Sequence, residues 1–303
     1  MSRRDFIKSA AVFALATAAR SGEKTMRIDS HMHFWKYTSE EYGWIDGTMK
    51  AIRRDFLPAD AKPEVEAAGF DHVVAVQARQ TLEETRWLLE LADQNPLIAG
   101  VVGWVDLQSN DARIQLGRFA QNKKLVGIRH IVQGEPDDRF LLKPEFTRGM
   151  ALLQDFNLAY DILIFPRHLP VALELVKKFP KLRFVLDHMA KPEIKAGKIK
   201  DWERDIRALA EQPHVLCKAS GLVTEADPKA WTPTQLERYL DVAFEAFGAE
   251  RMMVGSDWPV CKVAGEYEKV MGVFKDYVAE LSETEQQAVL GGNAARFWRL
   301  PVS

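Results

Sequence analysis

From Met26 onward, apolar runs of strand length alternate with segments whose apolar positions recur every three or four residues. Eight runs read as strands: 26–34 (MRIDSHMHF), 72–78, 98–107, 125–132, 158–165, 182–188, 214–220 and 251–257. Between them, 81–95, 111–122, 144–156, 169–179, 202–212 and 232–247 carry helical spacing, with Thr81 placed to cap the first. This alternation predicts βαβ units on a parallel sheet, and eight strands is the number that closes a TIM-like (β/α)8 barrel. Residues 267–300 supply one or two closing helices, broken at Gly291 and Gly292. One stretch departs from the rhythm. Residues 35–60 form a long segment after the first strand containing Trp35, Tyr37, Tyr42 and Trp44. In a barrel it falls on the C-terminal face, either as a lid over a site or as a cover for the barrel end.

Composition narrows the class without choosing a function. With 47% hydrophobic and 28% charged residues in 303, the chain has the material for a large core. Its 41 basic and 43 acidic side chains nearly cancel, which leaves no electrostatic footprint for nucleic acid or an anionic membrane and favours a small-molecule partner. Cys217 and Cys261 are too few for a disulfide framework. The first 25 residues stand apart. Arg3 and Arg4 precede the short apolar stretch AAVFALATAA, and Ala16-Thr17-Ala18 offers a small-residue cleavage site. This resembles a twin-arginine export signal, too short to be an integral membrane span, and predicts a periplasmic protein whose single domain runs from 26 to 303. The alternatives are an alanine-rich N-terminal helix, or a cytoplasmic protein beginning at Met26.

The chemistry gathers where the predicted strands end. His31 and His33 lie one residue apart and so point to the same face of the first strand. Two imidazoles on one wall suit a metal or an oxyanion. The other strand ends carry Gln77 and Arg79, Arg129 and His130, Arg167 and His168, Asp187 and His188, Lys218, and Asp257. Strict alternation admits only one of Asp187 and His188 to the barrel interior, and one of Arg129 and His130. The inward set then reads His31, His33, Gln77, Arg129, His188, Lys218 and Asp257. His72 and His214 open their strands at the opposite end and read as structural; His168, after Pro166, is left undirected.

Two histidines on strand one, a third on a middle strand and an aspartate on strand eight resemble the arrangement of the amidohydrolase superfamily. The segments 77–92, 125–137, LDHMAKP within 182–192, 217–227 and GSDWPVC at 255–261 are similar to the amidohydrolase-2 branch that contains sugar lactonases. The resemblance runs from Met26 to about Leu300. It implies a distorted (β/α)8 barrel that opens the ester ring of a sugar lactone. Asp257 would serve as general base, and His31, His33 and His188 would polarise the carbonyl, directly or through one divalent metal, zinc or manganese, held by His31, His33, Asp257 and His188. Arg129 joins the catalytic set. Gln77, Arg79, Trp44, Lys218 and Trp258 are expected to contact the substrate. A two-metal site is disfavoured because the fourth strand offers Arg129 and His130 where binuclear members carry a carboxylated lysine or a glutamate. A non-oxidative decarboxylase and a non-catalytic periplasmic sugar-binding protein are the alternative readings.

Overall fold

The computed structural model describes residues 26–300; the leader expectation lies outside the described residues. Eight parallel strands follow one another around one sheet in chain order: β1 (Ile28–Met32), β2 (His72–Val76), β3 (Ile98–Gly103), β4 (Leu125–Ile131), β5 (Ala159–Leu163), β6 (Phe184–Leu186), β7 (Val215–Ala219) and β8 (Met252–Val254). Each predicted strand is present but shorter. Most stop before the polar residues at their C-terminal ends, because there the backbone leaves the sheet to form the loops of a site.

The β8–β1 seam closes mainly through the loop after β8. Met32 bridges Trp258, Asp257 N–H donates to the His31 carbonyl at 2.9 Å, and His33 N–H donates to the Trp258 carbonyl at 2.6 Å. The buried carboxylate of Asp29 ties the same two segments together. It accepts from the amides of His31 (3.1 Å) and Ser256 (2.9 Å) and from the Tyr267 hydroxyl (3.1 Å). The distortion of the barrel lies in its first half: register shifts fall between Asp29 and Met32 in β1–β2, Val73 and Val74 in β2–β3, and Val101 and Val102 in β3–β4. No helix among the described residues is long and apolar enough to cross a membrane.

Apolar residues fill two spaces. The larger cluster lies between the strands and the surrounding helices; a smaller one, with Ile28, Val74, Val76, Val102, Val126, Val185 and Met253, is closed by Phe297, Trp298 and Leu300 of the C-terminal segment. That segment breaks its helix at Gly291, as the glycine pair predicts, and ends in a short helix, Asn293–Trp298. Thr81 caps helix Leu82–Gln94, its side chain accepting from the Glu84 amide. Helix Pro58–Ala67 has no counterpart in the sequence reading, because its residues PADAKPEVEA are weakly amphipathic and contain two prolines.

The long segment after β1 divides the two roles considered for it. Trp35 pairs with Phe56 through two backbone hydrogen bonds, and Trp35, Tyr42 and Phe56 are buried together as a cover. Trp44 alone stays open to solvent, at 41% exposure, with its ring edge-on to Trp35.

Candidate active site

A cavity of about 190 Å³ opens at the C-terminal ends of the strands. Its polar wall is His33, Arg129, Gln133, His188, Lys191 and Asp257; its apolar wall includes Trp44, Ile131, Leu163 and Val260. His31 lies immediately behind this wall, fully buried. The two histidines of β1 do share a face, with their Nε2 atoms 3.3 Å apart.

Asp257 is the point on which the rings converge. Its Oδ1 lies 3.3 Å from His33 Nε2, 3.8 Å from His31 Nε2 and 3.9 Å from His188 Nε2. Burial favours the neutral acid, but the facing rings of His188, His33 and His31 outweigh it and hold the carboxyl below its ordinary range. Burial likewise pushes His188 down to about 4, against the pull of Asp257, and takes His31 well below its usual value. At neutral pH the Asp257 carboxylate therefore faces the neutral imidazoles of His31 and His188.

Second contacts fix the rings. His33 Nδ1 meets the Val76 carbonyl at 2.7 Å, and a carbonyl only accepts, so Nδ1 carries a proton and a neutral ring would present its lone pair at Nε2. His188 Nδ1 meets Ser220 Oγ at 2.9 Å. Gly221 packs against the same edge of that ring at φ +64°, a left-handed position that suits glycine. A Cβ there would stand 2.5 Å from His188 Nδ1 and 3.2 Å from Asp257 Oδ2. Gly221→Ala is expected to displace the ring and lower kcat/KM by about a hundredfold. Steady-state kinetics on a folded variant checks this, and unchanged kinetics would show that the ring can give way.

The donor set fits a divalent metal. A tetrahedral zinc with bonds of about 2.0–2.1 Å places its ligand atoms roughly 3.3 Å apart, and His31 Nε2, His33 Nε2 and Asp257 Oδ1 are separated by 3.3, 3.3 and 3.8 Å. A neutral His33 would aim its Nε2 lone pair at a carboxylate oxygen 3.3 Å away, an arrangement that a cation between two acceptors satisfies. A second buried group, His31, Asp187 and His188, has ligand spacing too. There the ammonium of Lys218 already lies 2.8 Å from Asp187 Oδ1 and 3.3 Å from His31 Nδ1.

Beneath the rings lies a layer of buried charge. Lys218 Nζ contacts Asp161 Oδ2 at 2.5 Å as well as Asp187, and Arg129 NH1 contacts Asp187 Oδ2 at 3.0 Å and His31 Nε2 at 3.2 Å. Lys218 also stands over the Trp298 ring, 4.9 Å from its centre. Burial alone would raise Asp187, yet Lys218, His31 and Arg129 together hold it well below the ordinary carboxylate range. Asp161, with burial less fully offset by Lys218, is raised to about 6.

Several sequence expectations are corrected here. Lys218 is not a substrate contact: it is fully buried and committed to two carboxylates. Gln77 is buried below the cavity, its Nε2 donating to the Arg129 carbonyl at 3.3 Å. Arg79 turns into a neighbouring surface recess, pairing with Glu41 at 2.7 Å and packing over Tyr42. Trp258 is fully buried against Phe34 and Phe56. Alternation also misassigned the end of β6, where Val185 and Asp187 face inward and His188 reaches the site through a left-handed turn. Arg129 does face the site, while His130 stacks on Phe140. His168 hydrogen-bonds Asp138, away from the cavity. Asp161, Ser220 and Lys191 were missed, and Asp187 was set aside in favour of His188. The lone aspartate inside the apolar run LAYDILIF was the available signal, since a buried carboxylate requires a partner.

Comparison with known proteins agrees with this geometry. The Amidohydro_2 family model, described as amidohydrolase, matches residues 28–300. The chain is 39% identical over 287 residues to an L-fucono-1,5-lactonase of Burkholderia ambifaria, covering 91% of this chain and 96% of that protein. It is 41% identical over 287 residues to an L-fucono-1,5-lactonase of Burkholderia multivorans, covering 91% and 97%. A crystal structure of an amidohydrolase from Burkholderia multivorans with bound zinc superposes with a TM-score of 0.88 at 40% identity, covering 91% of this chain and all of the other. With its eight-stranded barrel and a match that spans nearly the whole described chain, this protein belongs to the amidohydrolase family.

Proposed function

We propose that the chain hydrolyses the ester ring of a sugar lactone, an aldonolactone of the kind named for its two Burkholderia relatives, L-fucono-1,5-lactone. The observation that carries this reading is the ionised Asp257 carboxylate at the floor of a small cavity, ringed by three imidazoles. Hydrolysis adds water across the acyl–oxygen bond and yields a hydroxy acid that ionises at neutral pH. Asp257 accepts the proton of the attacking water and returns it to the departing ring oxygen. The carbonyl oxygen needs a positive partner as it becomes anionic. Arg129 lines the cavity beside this position and brings its positive charge to the developing oxyanion, held in place by Asp187 at 3.0 Å. A divalent ion held by His31, His33 and Asp257, with His188 adjacent, would supply Lewis-acid polarisation of the same carbonyl. The lone pair that a neutral His33 would present at Nε2 supports the ligand role for that ring over a direct donor role. Trp44 at the mouth offers an aromatic face for the apolar side of a sugar ring.

The reaction class is separable from decarboxylation by what is released. The purified protein, assayed against L-fucono-1,5-lactone and other aldonolactones in a weakly buffered indicator, is expected to release protons above the spontaneous rate and no carbon dioxide. Carbon dioxide release from carboxylated substrates, with aldonolactones untouched, would support the decarboxylase instead.

A further inference from the structure

Strand β6 ends in a backbone that L-amino acids avoid. His188, Met189, Ala190 and Lys191 follow one another at φ 53°, 51°, 59° and 53°, where each Cβ crowds the following carbonyl oxygen. The turn is held from behind: Lys191 N–H donates to the His188 carbonyl at 2.8 Å, and Trp202 Nε1 donates to the Met189 carbonyl at 2.7 Å. Met189 and Ala190 are fully buried. In a turn closed by an i→i+3 bond, residues three apart lie on one side. His188 and Lys191 accordingly both line the cavity, while the two residues between them enter the core. A continuing strand would have brought in Asp187 and turned His188 away. The strained turn brings Asp187, His188 and Lys191 to the same site, and strain of this kind persists where function uses it.

Lys191 differs from the other two cations of the site. Arg129 and Lys218 are committed to buried carboxylates. The Lys191 ammonium is partly exposed, and its ion pair is at the rim, with Glu225 Oε1 at 3.3 Å. Its charge is felt by His188, whose Nε2 lies 3.9 Å from the Asp257 carboxylate. Under the lactone reading, on which this inference rests, the substrate is neutral and the product carries a carboxylate beside the anionic Asp257. A partly exposed cation at that cavity wall distinguishes the two.

We propose that Lys191 is the site's carboxylate-recognition residue, binding the ring-opened sugar acid in preference to the neutral lactone, with Glu225 as the rim anchor from which its ammonium is drawn. The test is calorimetric titration of the intact protein with L-fuconate and with L-fucitol, the neutral alditol of the same skeleton. Lys191→Met is expected to weaken L-fuconate about tenfold and L-fucitol less than about twofold, since a charge-assisted contact is lost only for the acid. Lys191→Arg should stay within about threefold of the wild type, and Glu225→Gln should tighten L-fuconate by freeing the ammonium. Equal losses on both ligands, or unchanged L-fuconate binding in Lys191→Met, would overturn the proposal. So would an active wild type that does not bind L-fuconate. If Lys191→Met does not fold, Glu225→Gln decides, and weaker or unchanged acid binding there contradicts the assignment. A wild type that opens no aldonolactone refutes the lactone reading itself, a different result from active protein with an indifferent Lys191.

Discussion

Asp257→Asn is expected to reduce kcat by about 10²–10⁴-fold, the range over which a positioned general base contributes, while the folded barrel still binds a sugar acid. The substitution keeps the shape and removes the charge. Asp257 N–H still donates to the His31 carbonyl, so the β8–β1 seam is preserved. The amide cannot take a proton from water. Rate and binding must be measured on the same preparation. Loss of both together would point to collapse of the site, and loss of neither would make the chain a binding protein whose carboxylate is incidental.

Lys218→Met is expected to be the most destabilising single change in the barrel interior. The ammonium sits between Asp161 and Asp187 with no exposure to solvent. Removing it leaves two buried carboxylates with Arg129 as their nearest compensation, and breaking such a pair by deleting one partner costs roughly 3–5 kcal/mol. His31 would also lose the donor 3.3 Å from its Nδ1, so activity should fall with stability. Denaturant unfolding followed beside kcat checks both. A variant of unchanged stability would mean that Asp161 and Asp187 are neutral in the native barrel.

The physics of the chain made the barrel readable and part of the site unreadable. Strand order, the closing helices and the inward direction of His31, His33 and Arg129 follow from periods of two and 3.6, which local sequence carries. What escaped depends on contacts between distant strands or on backbone that breaks alternation. Lys218 looks like any polar residue at a strand end; only β5 and β6, which bring Asp161 and Asp187 to it, make it part of the interior. The end of β6 was misjudged because four consecutive left-handed residues leave no mark in LDHMAKP, none of them being glycine. Trp258 reads as a rim aromatic until Phe34 and Phe56 are seen to enclose it. The recognised segments nonetheless fall at the cavity, since GSDWPVC and LDHMAKP contribute Asp257, His188, Lys191 and Val260 to its lining.

The central claim is that this site adds water to a lactone carbonyl under the control of Asp257. Turnover of L-fucono-1,5-lactone in ¹⁸O-labelled water, with the acid analysed by mass spectrometry against an enzyme-free control and the Asp257→Asn variant, tests it most directly. Acid is expected to form far above the control rate, with one labelled oxygen in its carboxyl group, and the variant to run near the control. Acid formation at the control rate with the wild type, there and across further aldonolactones, would contradict it.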